Sequence, residues 1–105
     1  MRTEQELIEL IQRVKAAKNM GEVSLLDQQC VMTYELGEFA KMVHRSLIYH
    51  NLDGYQGMMK VALGDLITQV RVTCGILGYD FQEMILEGEE HMLEAFSEYL
   101  QGFVR

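Results

Sequence analysis

Three carboxylates in the middle of the chain have the types and spacing that suit a metal site. Glu35 and Glu38 lie three residues apart in YELGEFAKMV, so a helix would bring both side chains to nearly one face. Asp65 lies among apolar residues in KVALGDLITQV. Because an ionised carboxylate is costly to bury alone, we expect Asp65 to be paired. A hard divalent cation, Mg²⁺ or Mn²⁺, shared by the three carboxylates would provide that partner.

The two acidic segments are predicted to meet across a helical hairpin. The segment HNLDGY, which is predicted to end one helix and form a turn, lies about midway between Glu38 and Asp65. Residues equidistant from the turn of an antiparallel hairpin lie side by side, so these two carboxylates are expected at the same height. Two alternatives remain. Glu35 and Glu38 could form an ordinary solvated helix surface, and Asp65 could form a salt bridge with one of three bases: Lys41, Arg45 or Arg71.

Four helical segments must position these residues. The first begins at an N-cap, Thr3, and fades before Gly21; the second spans about 24–49, the third about 55–77, and the fourth begins at Asp80. Gly78 suits a left-handed cap after the third. Short connections favour antiparallel neighbours, so residues 1–105 are expected to form a single all-α domain, a mainly antiparallel four-helix bundle.

Apolar residues at helical spacing predict the core faces. The first helix offers Leu7, Leu10, Ile11 and Val14. The second offers Met32, Leu36, Phe39, Val43 and Leu47. The fourth offers Phe81, Ile85, Met92, Phe96, Leu100 and Phe103. The apolar surface of these helices exceeds what the core of one four-helix bundle needs, which predicts a homodimer or homotetramer. The alternative is a monomer with a large apolar core.

Composition excludes several classes of partner. The chain has 105 residues, is 49% hydrophobic and contains no proline, which is typical of a helical protein. The net charge of −7 and the absence of a Lys/Arg run argue against a nucleic-acid binder. No apolar run approaches the roughly 18–20 residues of a membrane span, so a cytoplasmic protein is expected. Cys30 and Cys74 are expected to be free, buried thiols.

The acidic segments resemble the metal motif of the all-α nucleoside triphosphate pyrophosphohydrolases of MazG type, relatives of the dimeric dUTPases. That family has Glu-Glu-x-x-Glu on one helix and Glu-x-x-Asp on the next. Glu35 and Glu38 in ELGE match the last two Glu of the first half, and Asp65 in LGD matches the Asp of the second. The resemblance covers about residues 25–80. Tyr34 and Ala62 stand where the family has its other two Glu.

The resemblance implies that the chain converts a nucleoside triphosphate to a monophosphate and pyrophosphate, with a role in nucleotide-pool sanitation. The three carboxylates would be both metal ligands and catalytic groups. Lys41 and Arg45 would neutralise phosphate oxygens, unless they are ordinary surface charges. Gln69 would orient water or a base edge, unless it makes an interhelical contact. Because Ala62 removes one ligand, the alternative is an impaired bundle that binds nucleotide or a protein partner without turnover.

The fourth helix is also acidic, with His91 among its glutamates. A ferritin-like di-iron site needs Glu-x-x-His on two helices, and the residue three before His91 is Gly88. We therefore expect these glutamates to form a solvated face. His44 and His50 are expected to interact with the C-terminal end of the second helix.

Overall fold

The protein is all-helical. The computed structural model describes the backbone of residues 1–104 and the side chains of residues 1–102. It contains α1 (Glu4–Ala17), α2 (Leu25–Ile48), α3 (Leu52–Leu77) and α4 (Phe81–Val104), with no strand in this part of the chain. Phe103, expected on the inner face of α4, lies outside the described side chains.

The helix ends form where the local sequence provides capping groups. Thr3 and Glu6 form the expected capping box, each accepting at 3.1 Å from the backbone N–H of the other. Ser24 Oγ accepts from the backbone N–H of Asp27 at 3.1 Å. Gly78 caps α3 with a left-handed φ of 75°, as predicted. These contacts are local, which is why the sequence indicates them well.

The third helix begins earlier than expected. Asn51 is its N-cap, with the side-chain Oδ1 accepting from the backbone N–H of Gly54 at 3.1 Å. The Asp53-Gly54 dipeptide therefore lies in the first helical turn and does not break the chain. A Cβ at position 54 would collide with the Asn51 side chain, so glycine permits this cap. The connection from α2 consists of Tyr49, His50 and Asn51.

The α2–α3 hairpin is the main packing unit, and α1 lies against α3. Across the hairpin, Gln28 Nε2 is buried and donates to the backbone oxygen and to Oε1 of Gln69, at 3.0 and 2.8 Å. Arg71 Nε pairs with Glu4 Oε1 at 2.9 Å and ties α1 to α3. Helices α1 and α3 also approach closely at Gly75, where an added Cβ would lie 2.8 Å from Ile8 Cδ1.

Several expected core residues are exposed. In α1, Leu10 and Val14 face outwards, because the helix turns Leu7, Ile8 and Ile11 towards α3. In α2, Leu36 and Leu47 are likewise exposed, since α3 covers only one side of that helix. Among the described residues only five are buried: Gln28, Ser46, Ala62, Val72 and Cys74. Both cysteines are free as predicted, but Cys30 is exposed.

The fourth helix extends away from the other three. The chain bends by 110° between α3 and α4, and among the described residues α4 contacts α3 alone. Phe81 is half-buried beneath the Arg71 guanidinium, 6.0 Å from its ring centroid. The other described residues of the predicted inner face are exposed, namely Ile85, Met92, Phe96 and Leu100. The expectation that this face packs inside the chain is therefore wrong.

No single helix in the described chain is long and apolar enough to cross a membrane; α3 and α4 meet that length and composition only when counted together across their bend.

Candidate functional site

A groove near the turn of the α2–α3 hairpin brings together two of the three predicted carboxylates. It has a volume of about 660 Å³, and Glu38 of α2 and Asp65 of α3 both line it. The remaining lining residues are Met42, Gly54, Gly57, Met58, Val61 and Ala62. We call this the hairpin groove. The connection at residues 49–51 begins 11 residues after Glu38 and ends 14 residues before Asp65, so the two are not equidistant from the turn as expected, although both line the groove.

Small residues keep the hairpin groove open. Gly54 and Gly57 carry no side chain into its turn-side end, and Ala62 is buried between the helices at 8% exposure. Ala62 is the position at which the resembled motif has a glutamate. A longer side chain there would extend into the groove beside Asp65, three residues further along the helix. The groove therefore has two carboxylates where the motif implies more.

Asp65 is exposed, not enclosed among apolar side chains as its sequence context suggested. No further helix packs over this side of α3, so the carboxylate keeps its contact with water. Within the described chain it forms no ion pair with the three bases considered above. Arg71 pairs with Glu4, and Lys41 Nζ lies 4.0 Å from Glu38 Oε1. Asp65 thus lines the groove without a basic partner among the described residues.

The other predicted site residues lie outside the groove. Glu35 is half-buried on α2, one turn further from the hairpin turn than Glu38. Arg45 is exposed, and Lys41 is exposed beside Glu38. Gln69 accepts the buried Gln28 hydrogen bond, so it makes the interhelical contact that was the alternative for it.

The hairpin groove offers only two carboxylates among the described residues, fewer than a fully protein-bound cation needs. Among the described residues, no group of three or more His, Cys, Asp or Glu side chains converges closely enough to hold a metal. Mg²⁺ commonly uses one or two protein carboxylates, several waters and substrate phosphates. Glu38 and Asp65 provide that smaller number.

Sequence reasoning missed the apolar walls of the groove. Met42 follows Glu38 by one helical turn, and Met58 and Val61 precede Asp65 on the same side of α3. The available signal was their spacing relative to the carboxylates, because residues three, four or seven apart share a helix face. A groove with apolar walls and a few polar groups, in the range of about 300–1,000 Å³, is typical of small-molecule sites.

A second acidic depression lies at the α3–α4 connection. Gly78 and Tyr79 line it together with Asp80, Glu83 and Glu87, and its volume is about 410 Å³. Asp80 Oδ1 accepts from the backbone N–H of Glu83 at 3.0 Å, so its position is that of a helix cap. The glutamates of α4 and His91 are exposed, as expected for a solvated face.

Comparison of the chain with known protein families, curated proteins and solved structures found no match.

Proposed function

We propose that this chain is a MazG-like, Mg²⁺-dependent nucleoside triphosphate pyrophosphohydrolase that binds its substrate in the hairpin groove. It would release a nucleoside monophosphate and pyrophosphate, acting as a cytoplasmic homo-oligomer in nucleotide-pool sanitation. The observation that carries this proposal is the shared position of Glu38 and Asp65 on one open groove, where Asp65 forms no ion pair with any other described residue.

The groove residues have distinct roles in this proposal. Glu38 and Asp65 would hold the Mg²⁺ that accompanies the triphosphate, and Glu35, which lies outside the groove one turn away, would add a third carboxylate only if its side chain turned towards the groove. The chemistry that Mg²⁺ supplies in such sites is neutralisation of phosphate charge and activation of water. Lys41, 4.0 Å from Glu38, places a positive charge where phosphate oxygens would lie.

In this proposal the remaining substrate contacts come from the apolar groove walls and from two polar residues outside the groove, Arg45 on α2 and Gln69 on α3. Met42, Met58 and Val61 offer an apolar surface for a nucleobase. Arg45 lies one turn past Lys41 and extends the positive charge. Gln69 contributes to substrate binding only if its hydrogen bond to Gln28 opens, so it is the least supported of the proposed contacts.

The alternative is that the groove binds nucleotide or a protein partner without turnover. Ala62 favours it, because this buried residue occupies the place of a motif glutamate and leaves the groove with fewer ligands. Fewer carboxylates lower the affinity for Mg²⁺ and leave less charge to orient an attacking water.

Calorimetry and a product assay separate these possibilities. Mg²⁺ and Mg²⁺–nucleotide would be titrated into the wild type and Asp65→Asn, and pyrophosphate release measured over common and damaged nucleoside triphosphates. We expect binding and release in the wild type and their loss in Asp65→Asn. Binding without release would establish the alternative. No binding in either protein would overturn both nucleotide functions and leave a protein partner.

A gain-of-ligand variant sharpens the test. Ala62→Glu should tighten Mg²⁺ binding by about tenfold, because it adds a carboxylate three residues from Asp65 on the groove wall. Ala40→Glu on the exposed side of α2 is the matched control, since it adds the same charge outside the groove. Circular dichroism would check that both variants keep their helix content. Equal Mg²⁺ affinity in the two variants would contradict the proposed site.

A further inference from the structure

The single chain exposes much more surface than a compact protein of its mass. Its accessible surface is 8350 Å², whereas a folded monomer of 12.1 kDa exposes about 6,000 Å². Its radius of gyration is 17.7 Å, against about 13 Å for a compact domain of this length. The excess is about 2,300 Å² per chain. Burial of such an area on each of two chains is within the range of obligate homodimers, about 2,000–5,000 Å² in total.

Much of this excess is contributed by α4. Four large side chains on it are between 59% and 66% exposed: Leu86, Leu93, Phe96 and Leu100. The helix is about 36 Å long, which nearly matches the length of α3, about 39 Å. It can therefore cover a whole hairpin from end to end.

The charges show which surface α4 can cover. Six glutamates and no Lys or Arg lie on α4, whereas eight of the nine basic residues lie between positions 2 and 71. Two α4 helices packed against each other would bring like charges together, which is unfavourable. The α1–α3 part of a second copy has eight basic against nine acidic residues, so it is close to neutral and repels α4 less than another α4 would.

That part of the chain offers an apolar surface on the side of the hairpin away from the hairpin groove. Phe39, Met59 and Leu63 line a shallow groove of about 460 Å³ together with Lys60. Ile67 follows Leu63 by one turn and is 46% exposed. We call this surface the hairpin face. Its apolar centre and its lysine suit an apolar, acidic helix.

We propose that α4 of one chain packs along the hairpin face of a second copy, and that the second copy's α4 does the same in return. The result is a two-fold dimer with exchanged C-terminal helices. The short Gly78–Asp80 connection and the 110° bend direct α4 away from its own hairpin, which leaves it available to another chain. The exchange leaves the hairpin groove open and is independent of the proposed activity.

Complementation between two variants tests the exchange. Phe96→Glu places a charge on α4, and Leu63→Glu places one on the hairpin face. By analytical ultracentrifugation of the full chain, we expect a wild-type dimer and an increase in its dissociation constant of about 100-fold or more in each variant. Val14→Glu, on an exposed position of α1 outside both surfaces, should remain dimeric.

The mixture of the two variants gives the decisive result. A heterodimer of Phe96→Glu and Leu63→Glu keeps one intact contact between a wild-type α4 and a wild-type hairpin face, so association should return in part. If the separated variants lose helix content, the mixture should regain it by circular dichroism. A wild-type monomer at all concentrations would overturn the proposal. A dimer that Phe96→Glu disrupts and Leu63→Glu leaves intact would also overturn it, because α4 would then contact α4.

Discussion

The α1–α3 unit and α4 are both rich in apolar residues, yet they differ in how those residues are used. In the α1–α3 unit, specific contacts determine which faces meet: the buried Gln28 amide, the clearance at Gly75 and the Arg71–Glu4 pair. In α4 the helix is regular and its first turn is capped, but Phe81 is the one residue among its described side chains that is half-buried. Apolar periodicity thus specifies a helix and its apolar face. A few sterically or polar-specific contacts then determine which helix that face packs against.

The largest expected difference is between two apolar truncations. Val72 is fully buried, so Val72→Ala should lower the free energy of unfolding by about 2 kcal/mol at every protein concentration. Leu93 is 66% exposed, so Leu93→Ala should cost little in dilute solution and more as the concentration rises. Urea denaturation at a low and a high concentration measures both. An equal loss for Leu93→Ala at the two concentrations would mean that α4 packs within its own chain.

A second comparison concerns the buried amide. Gln28→Ala should destabilise the hairpin by about 2 kcal/mol, because Gln69 Oε1 loses its donor in a partly buried position. Gln29→Ala, on the exposed neighbouring residue, should change stability by less than about 0.5 kcal/mol. Thermal or urea unfolding monitored by circular dichroism gives both values. Similar effects of the two substitutions would show that the interhelical hydrogen bonds do not select the hairpin register.

Two glycine substitutions test the contact between α1 and α3. Gly75→Ala should destabilise by about 1 kcal/mol, since its Cβ would lie 2.8 Å from Ile8 Cδ1. Gly64→Ala has open space around it and should stabilise by up to about 1 kcal/mol through helix propensity. Hydrogen exchange of α1 amides would report its release in the first variant. A stabilising Gly75→Ala would show that α1 does not pack at this point.

The smallest expected effect is on pH dependence. The Arg71 hydrogen bond lowers the pKa of Glu4, and the Lys15 hydrogen bond lowers the pKa of Asp27, below the ordinary values of 4.5 and 3.8. Each carboxylate therefore stabilises the folded state above its ordinary pKa, and this contribution is lost as pH falls through the lowered value. Acidification below about pH 4 should loosen α1 first. Hydrogen exchange along a pH series would detect it.

A matched pair of variants separates the two acidic contacts. In Glu4→Gln the acid dependence of α1 should fall to that of Asp27 and Glu6, and in the double variant with Asp27→Asn to that of Glu6 alone, whose pKa is lowered by the hydrogen bond from the Thr3 backbone N–H. Persistence of the same acid transition in the double variant would assign it to other carboxylates.

The parts of the fold that were predicted correctly depend on short-range interactions. The caps at Thr3, Ser24 and Gly78 involve groups within a few residues, so the sequence contains the whole interaction. The predicted start of α3, near residue 55, is wrong because Asp53-Gly54 was taken as a helix breaker, whereas the Asn51 cap starts the helix before it. The face that α1 turns towards α3 is not predicted from the sequence, because it depends on the close approach of the two helices at Gly75, which is distant from α1 in the chain.

Only part of the candidate site follows from the sequence. Glu38 and Asp65 line one groove, but counting from residue 52 misjudges their relative height, because the connection lies at residues 49–51 and antiparallel helices rise equally per residue on either side of it. Glu35 lies off the groove because a step of three residues also turns the side chain by about 60° and moves it one turn along. The exposure of Asp65 depends on which helices cover α3, and neither composition nor spacing determines that.

The three-residue connection between α2 and α3 has a consequence for the order of folding. Helices joined by a short turn form mostly local contacts, and such contacts are made quickly, on the microsecond-to-millisecond scale. The chain has no proline, so no prolyl isomerisation delays this step. Exchange of α4 between chains is second order in concentration and must follow. We therefore expect newly made chains at low abundance to expose α4 for longest, and to be cut by proteases around Gly78–Asp80 before their hairpin is attacked.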